Sequence, residues 1–291
     1  MMTKRHLSKL AQALFGVAAG ACLLHGAASA QDRARPTYLA QQGQPNPFSA
    51  LVGEKRERRV DRPGGKVERF VLASDNRAFL IQARSRTARV KFLCGTNDPR
   101  LDCTLDAEAP APEIFLLTVT RGPRGDSIFK NADGDTVLRL ASYGGATVQW
   151  PGDNEGYAAS KSFGDDQAVV LPAAGYEAAL RRANAATAVV SAATGAPITF
   201  ELISEPGDER ANASVLADAI VRAASGVNAV ASDPTGARIL ADRIRRIAFE
   251  VGPAPTARFE GDALIIQYVP DQDISGRLSS RAIERFLEEY L

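Results

Sequence analysis

The residues that most often carry chemistry are scarce in this chain. Its 291 residues include two histidines, three cysteines and one tryptophan. Both histidines, His6 and His25, fall inside residues 1–30, which read as a removable export signal. A processed chain then holds no imidazole, and with it go the commonest general base and the commonest metal ligand. A Ser-His-Asp or Cys-His mechanism is excluded on the same ground. Charge of one sign is missing as well. The chain has 35 Lys and Arg against 34 Asp and Glu, and residues 1–30 hold three bases and no acid, so 32 bases face 34 acids in the remainder. That balance gives no overall field for nucleic acid or anionic lipid, and no nucleic-acid partner is expected. Past the signal no stretch approaches 18 consecutive apolar residues, so no membrane span is expected after cleavage.

The signal reading rests on three regions in order. Met1 to Lys9 carries Lys4, Arg5 and Lys9, an apolar run extends from Leu10 to Leu24, and Ala28-Ser29-Ala30 forms an A-x-A site that places cleavage after Ala30. At 15 residues the apolar run is short for a retained anchor. A lipoprotein processed at Cys22 is the other alternative, although Ala19 stands where a bulky aliphatic residue is usual. Both readings stay open beside a soluble periplasmic or secreted product.

Cleavage leaves an even pair of cysteines, Cys94 and Cys103, joined by the turn-forming string Gly95-Thr96-Asn97-Asp98-Pro99. In an oxidising compartment this spacing indicates a disulfide. A redox pair would use closer C-x-x-C spacing, and two cysteines without histidine do not make a structural zinc site. No metal or cofactor is expected.

The pattern along the chain indicates an α+β fold. Residues 31–65 begin Gln-, Pro- and Ala-rich and continue as a mixed-charge stretch, Glu54 to Arg62, so they read as a disordered tether or linker. Residues 66–172 read as an antiparallel β-rich module carrying the disulfide, with strands at Val67–Ala73, Ala78–Ala83, Thr87–Cys94, Glu113–Arg121, Ser127–Lys130, Thr136–Ser142 and Ala146–Trp150. Turn signals such as Asp133-Gly134 and Gly144-Gly145 separate them, and the short spacings require antiparallel pairing. Trp150 to Asp166 reads as a long surface loop. Residues 173–291 read as a helical α+β module with a β-hairpin. Its elements are a helix over Tyr176–Thr194, a strand over Ile198–Ile203 and an apolar helix through Val215, Ile220 and Val227, with Asn212 as N-cap. A helix opened by Asp233-Pro234 follows and runs to Gly252-Pro253. A hairpin across Gly261-Asp262 and a final helix from Ser279 complete the module, the latter with Ile283, Phe286, Leu287 and Tyr290 toward the core.

Two groups of residues are candidates for a site. The loop acids Asp153, Glu155, Asp165 and Asp166 flank Lys161, with Trp150 and Tyr157 nearby. Paired carboxylates in a groove serve as acid and base on glycosides, and aromatics stack on sugar faces. The bases Arg77, Arg84, Arg86, Arg89 and Lys91 cluster on the early hairpins and, on one face, would hold an anionic polymer or acidic partner, with Arg84, Arg86, Arg89 and Lys91 as the binding candidates. Basic side chains also protect exposed strands from pairing with other chains. Asn131-Ala132-Asp133-Gly134-Asp135 lacks the closing Glu of a calcium loop and reads as a hairpin turn.

Three strings stand behind the export signal: Phe92-Leu93-Cys94-Gly95-Thr96, Ser142-Tyr143-Gly144-Gly145-Ala146-Thr147-Val148 and Lys161-Ser162-Phe163-Gly164-Asp165-Asp166. Over about residues 67 to 203 the chain resembles an uncharacterised family of exported alphaproteobacterial proteins, a domain of unknown function. The resemblance implies an envelope location and assigns no activity and no catalytic residue. The sequence thus points to a non-catalytic binding or scaffolding protein of the cell envelope, its partner an unidentified envelope protein or polymer. A carboxylate-dependent hydrolase of envelope polysaccharide or peptidoglycan is the alternative.

Overall fold

Alternation of apolar and polar residues continues through eight short segments, and in the computed structural model these segments close on themselves. The structure describes residues 65–153, 155–164, 168–203 and 213–291. The expected export signal, the expected tether apart from Gly65, and the expected N-cap Asn212 therefore lie outside the described residues. Strands β1 (Val67–Leu72), β2 (Ala78–Ala83), β3 (Thr87–Phe92), β4 (Ile114–Arg121), β5 (Ser127–Lys130), β6 (Thr136–Leu140), β7 (Gly145–Gln149) and β8 (Gly156–Ser162) pair in sequence order as a closed antiparallel barrel. Closure comes from β8 against β1, with Arg69 opposite Ser162 and Leu72 opposite Ala159.

Strand β8 corrects the expectation of a long loop from Trp150 to Asp166. Tyr157 and Ala159 face inward opposite Val148 and Ala146, and this strand removes what would otherwise be two open edges. An eight-stranded barrel has an interior just wide enough for side chains to fill. Here Phe70, Leu72, Phe79, Val90, Phe92 and Phe129 are among the residues that fill it, each at most 3% exposed. Phe70 stacks on Phe79 at 5.3 Å, and Phe92 meets Trp150 edge-on at 4.9 Å, so an aromatic ladder crosses neighbouring strands and ends beneath Trp150.

Up-and-down order puts alternate turns at opposite ends. The β1–β2, β3–β4, β5–β6 and β7–β8 connections lie at one end, and the other three connections lie at the end where β1 begins and β8 finishes. The β3–β4 connection holds the short helix α1 (Leu101–Thr104) and the disulfide, whose Cys94 and Cys103 sulfurs are 2.14 Å apart.

The remaining elements build a second layer. They are α2 (Tyr176–Thr194), β9 (Thr199–Leu202), α3 (Ser214–Ala231), α4 (Pro234–Arg243), β10 (Arg246–Val251), β11 (Thr256–Glu260), β12 (Ala263–Tyr268) and α5 (Ser280–Tyr290), with a 3-10 segment at Pro270–Gly276. The sheet order is β11-β12-β10-β9. Its expected hairpin is present, but β9, β10 and β12 run parallel, so the sheet is mixed. Barrel and second layer both fall within one compact unit.

Two further expectations are corrected in this layer. The helix capped by Asp233 starts as expected, with the Asp233 carboxylate accepting from Thr235 N and Gly236 N at 2.9 Å, but it stops at Arg243 instead of reaching Gly252. Ile247, Ala248 and Phe249 are fully buried in β10, where a central strand covered on both faces reads as one apolar run. Tyr290 is 57% exposed, although its ring contacts Phe286. Helix α3 is long and apolar enough to cross a membrane, yet it is the core helix here and most of it is buried.

Candidate functional site

The end of the barrel that carries the disulfide loop gathers the first candidate group. The β1–β2 turn delivers Arg77, the β3–β4 loop delivers Asp98 and Arg100, and the β7–β8 turn delivers Trp150 and Asp153. Between the two longer loops lies a cleft of about 490 Å³. Arg77 crosses its floor, donating to Asp75 at 2.8 Å and to Asp153 at 3.0 Å. The Arg77 guanidinium carbon sits 4.6 Å from the Trp150 ring and 4.8 Å from the Tyr157 ring. Arg100 covers Trp150 from 5.4 Å, and donates to Asp98, to the Phe92 and Leu93 carbonyls and to Cys103 Sγ.

These contacts decide what the cleft offers. Trp150 is 4% exposed, held among Arg77, Arg100 and Phe92, so its face is not available for stacking on a sugar. Burial alone would raise the Asp98 carboxyl. The Arg100 side chain and N–H, its charge, and the Gly95 N–H outweigh burial and hold Asp98 below the usual carboxylate range. A general acid at neutral pH needs the opposite shift. For Arg77, burial opposes the charged form, and hydrogen bonds to Asp153, Tyr157 and Asp75 more than offset it, which keeps the guanidinium charged. Asp153 therefore lines the cleft as the partner of an arginine. Glu155 is exposed, and Asp165 and Asp166 lie outside the described residues.

The second candidate group divides. Arg84 and Arg86 stand exposed in the β2–β3 turn. Arg89 and Lys91 point outward from β3 but are covered by the second layer. Arg89 pairs with Asp273 at 2.9 Å and donates to the Val169 carbonyl at 3.0 Å. Burial pushes the Lys91 ammonium below the usual lysine value, with Asp218 opposing and Arg222 reinforcing the shift. Arg84 and Arg89 meet only along a flank groove of about 270 Å³ shared with Leu116 and Ser275.

A third constellation escaped sequence reasoning. Arg222 on α3 is fully buried, with Nη1 3.4 Å from Glu113 and 3.5 Å from Asp102, and Nη2 3.4 Å from Asp218. Arg277 joins from the other side, its Nε 2.6 Å from Asp218 and its Nη2 donating to the Ile114 carbonyl at 3.1 Å. Asp102 accepts from Glu113 N at 2.8 Å, and Ser280 donates to Glu113 through both its N–H and its hydroxyl. Three acids and two arginines thus tie the disulfide loop and the start of β4 to α3 and α5. The group is enclosed, and its chemistry is that of a fastening. Asp218 and Arg222, the two charged residues of α3 and four residues apart, were the sequence signal for it.

Among the described residues no cluster of three metal-ligating side chains occurs. In comparison with known proteins, residues 47–287 match a protein-family model described as a domain of unknown function, DUF4908. No curated protein and no solved structure matches the chain.

Proposed function

The chain belongs to the DUF4908 family, a domain of unknown function, and we propose that it acts by binding, without catalysis. On this reading it is an exported protein, periplasmic or secreted, that binds or scaffolds another component of the cell envelope. The observation that carries it is the state of the candidate acids. Asp153 is engaged by Arg77, Asp98 by Arg100, and Glu155 is exposed, so no described carboxylate pair is poised as acid and base. A barrel interior packed with phenylalanine and leucine supports the same reading, because a partner must be met on the outer surface. Export is supported by the order of charge, apolar run and small-residue site in residues 1–30.

The test is turnover. Purified protein incubated with peptidoglycan and with envelope polysaccharide releases no product above a protein-free blank, while a partner is recovered from envelope extract on the immobilised protein. Product release that disappears in Asp153→Asn or in Asp165→Asn/Asp166→Asn would replace binding with hydrolysis.

A further inference from the structure

The near-zero net charge hides a polarity along the barrel. The end holding the cleft carries Asp75, Asp133, Asp135, Asp153 and Glu155 in its turns. Arg77 pairs with Asp75 and Asp153, and Arg285 with Asp133, which leaves Asp135 and Glu155 without an ion pair among the described residues. The opposite end carries Lys66 at the start of β1, Arg84 and Arg86 in the β2–β3 turn, and Arg121 and Arg124 at the β4–β5 turn. All five are exposed, and none forms an ion pair among the described residues. The acids described at this end are already taken: Asp126 is bound by Arg139 and Glu68 by Lys161.

The same end presents the two most exposed large apolar side chains of the described residues, Tyr143 at 89% and Phe163 at 92%. Gly145 of β7 lies opposite Ser160 of β8. Tyr143, just before β7, and Phe163, just after β8, therefore run off the same end of one ladder. Leaving two large rings in water at hairpin tips has a hydrophobic cost that burial elsewhere would recover. Rings flanked by unneutralised cations are the combination that suits a bilayer interface, where aromatic bodies enter the headgroup region and Lys or Arg meets anionic headgroups.

We propose that this end of the barrel seats on an anionic phospholipid surface, with Tyr143 and Phe163 entering the headgroup boundary and Lys66, Arg84, Arg86, Arg121 and Arg124 meeting lipid phosphates. Asp135 and Glu155 at the far end carry negative charge without an ion pair among the described residues, which disfavours seating by that end and orients the molecule without any net basic charge. Attachment is peripheral. This names a partner for the binding reading and rests on that reading for its envelope setting.

Flotation tests it, using the protein as recovered from cells, with vesicles of phosphatidylethanolamine containing about one-third phosphatidylglycerol, and with phosphatidylcholine vesicles. The protein floats with the anionic vesicles and less so as salt rises. Tyr143→Ala/Phe163→Ala weakens binding about tenfold, and Arg84→Glu/Arg86→Glu/Arg124→Glu weakens it further. Glu155→Gln at the far end leaves it unchanged. Tyr143→Trp emission shifts to the blue on anionic vesicles, with buried Trp150 as a constant background. Circular dichroism of each variant confirms the barrel. Equal binding of all variants, or no partition onto anionic vesicles, overturns the proposal. So does loss of self-association, or of acidic-polysaccharide binding, in the same variants with vesicle binding untouched. Vesicle binding in a protein that also hydrolyses polysaccharide removes the non-catalytic reading and leaves the membrane seat. Absent vesicle binding with no hydrolysis does the reverse.

Discussion

Arg222 and Glu113 stand 3.4 Å apart with neither exposed to water, the first on α3 and the second at the residue before β4. This pair fastens the barrel to the helical layer. Removing one member leaves the other charge buried and uncompensated, which costs about 3–5 kcal/mol. Arg222→Met and Glu113→Gln should each lower the unfolding free energy obtained from urea denaturation by that amount, and a double-mutant cycle should show strong coupling. Additive losses would mean the pair is not the fastening.

Reduction of Cys94–Cys103 acts on the same junction, because Asp102 sits beside Cys103 and accepts from Glu113 N. Closing a loop this short contributes about 2–3 kcal/mol through the unfolded state. Cys94→Ser/Cys103→Ser should lose that much in chemical denaturation while keeping its circular dichroism spectrum. An unchanged midpoint would contradict this.

Acid should weaken the fold through Asp126 and Asp98. The Arg139 guanidinium, then the Ser142 N–H, hold the Asp126 carboxyl below the usual range, and Asp98 is held low despite burial. A carboxyl lowered in the folded state stabilises above its unfolded value of about 3.9, and that stability is lost as pH falls through the folded value. Unfolding midpoints measured from neutral pH down past about pH 4 should therefore fall, less steeply in Asp126→Asn and Asp98→Asn. A slope shared by all three proteins would assign the acid response elsewhere.

Gly226 lies where α3 crosses α5. A Cβ there would sit 2.6 Å from the Ser280 carbonyl oxygen and 3.0 Å from Ile283 Cβ. Helix propensity favours Gly226→Ala by about 1 kcal/mol, but overpacking of this kind typically costs about 1–3 kcal/mol. Because the contact is with backbone, the account expects net destabilisation. A raised melting temperature would show that α5 can yield.

Most local elements were legible and their assembly was not. Strands β1 to β7 announced themselves by alternation and by turns such as Asp133-Gly134, where Gly134 has φ of +87°. Strand β8 was hidden because Ala158, Ala159 and Ser160 lack the bulk that marks strands. Barrel closure is a pairing between the first strand and the last, which no local pattern carries. The end of α4 was hidden because Ile244 and Ile247 continue a helical period, while the backbone at Ile244 is already extended at φ −120° and ψ 128°. For the candidate sites, Asp153 was placed beside Trp150 and Tyr157, as the sequence suggested. The arginine that engages all three, Arg77, was grouped with the basic residues instead. The basic group itself divided because Arg89 and Lys91 are covered by segments distant in sequence.

The binding reading rests on the proposed export, which would remove both histidines and set the compartment in which Cys94 and Cys103 oxidise. The direct measurement is the intact mass and cell fraction of the native protein. The account predicts a periplasmic or secreted product beginning at Gln31. A cytosolic product that retains Met1 to Ala30 would contradict it.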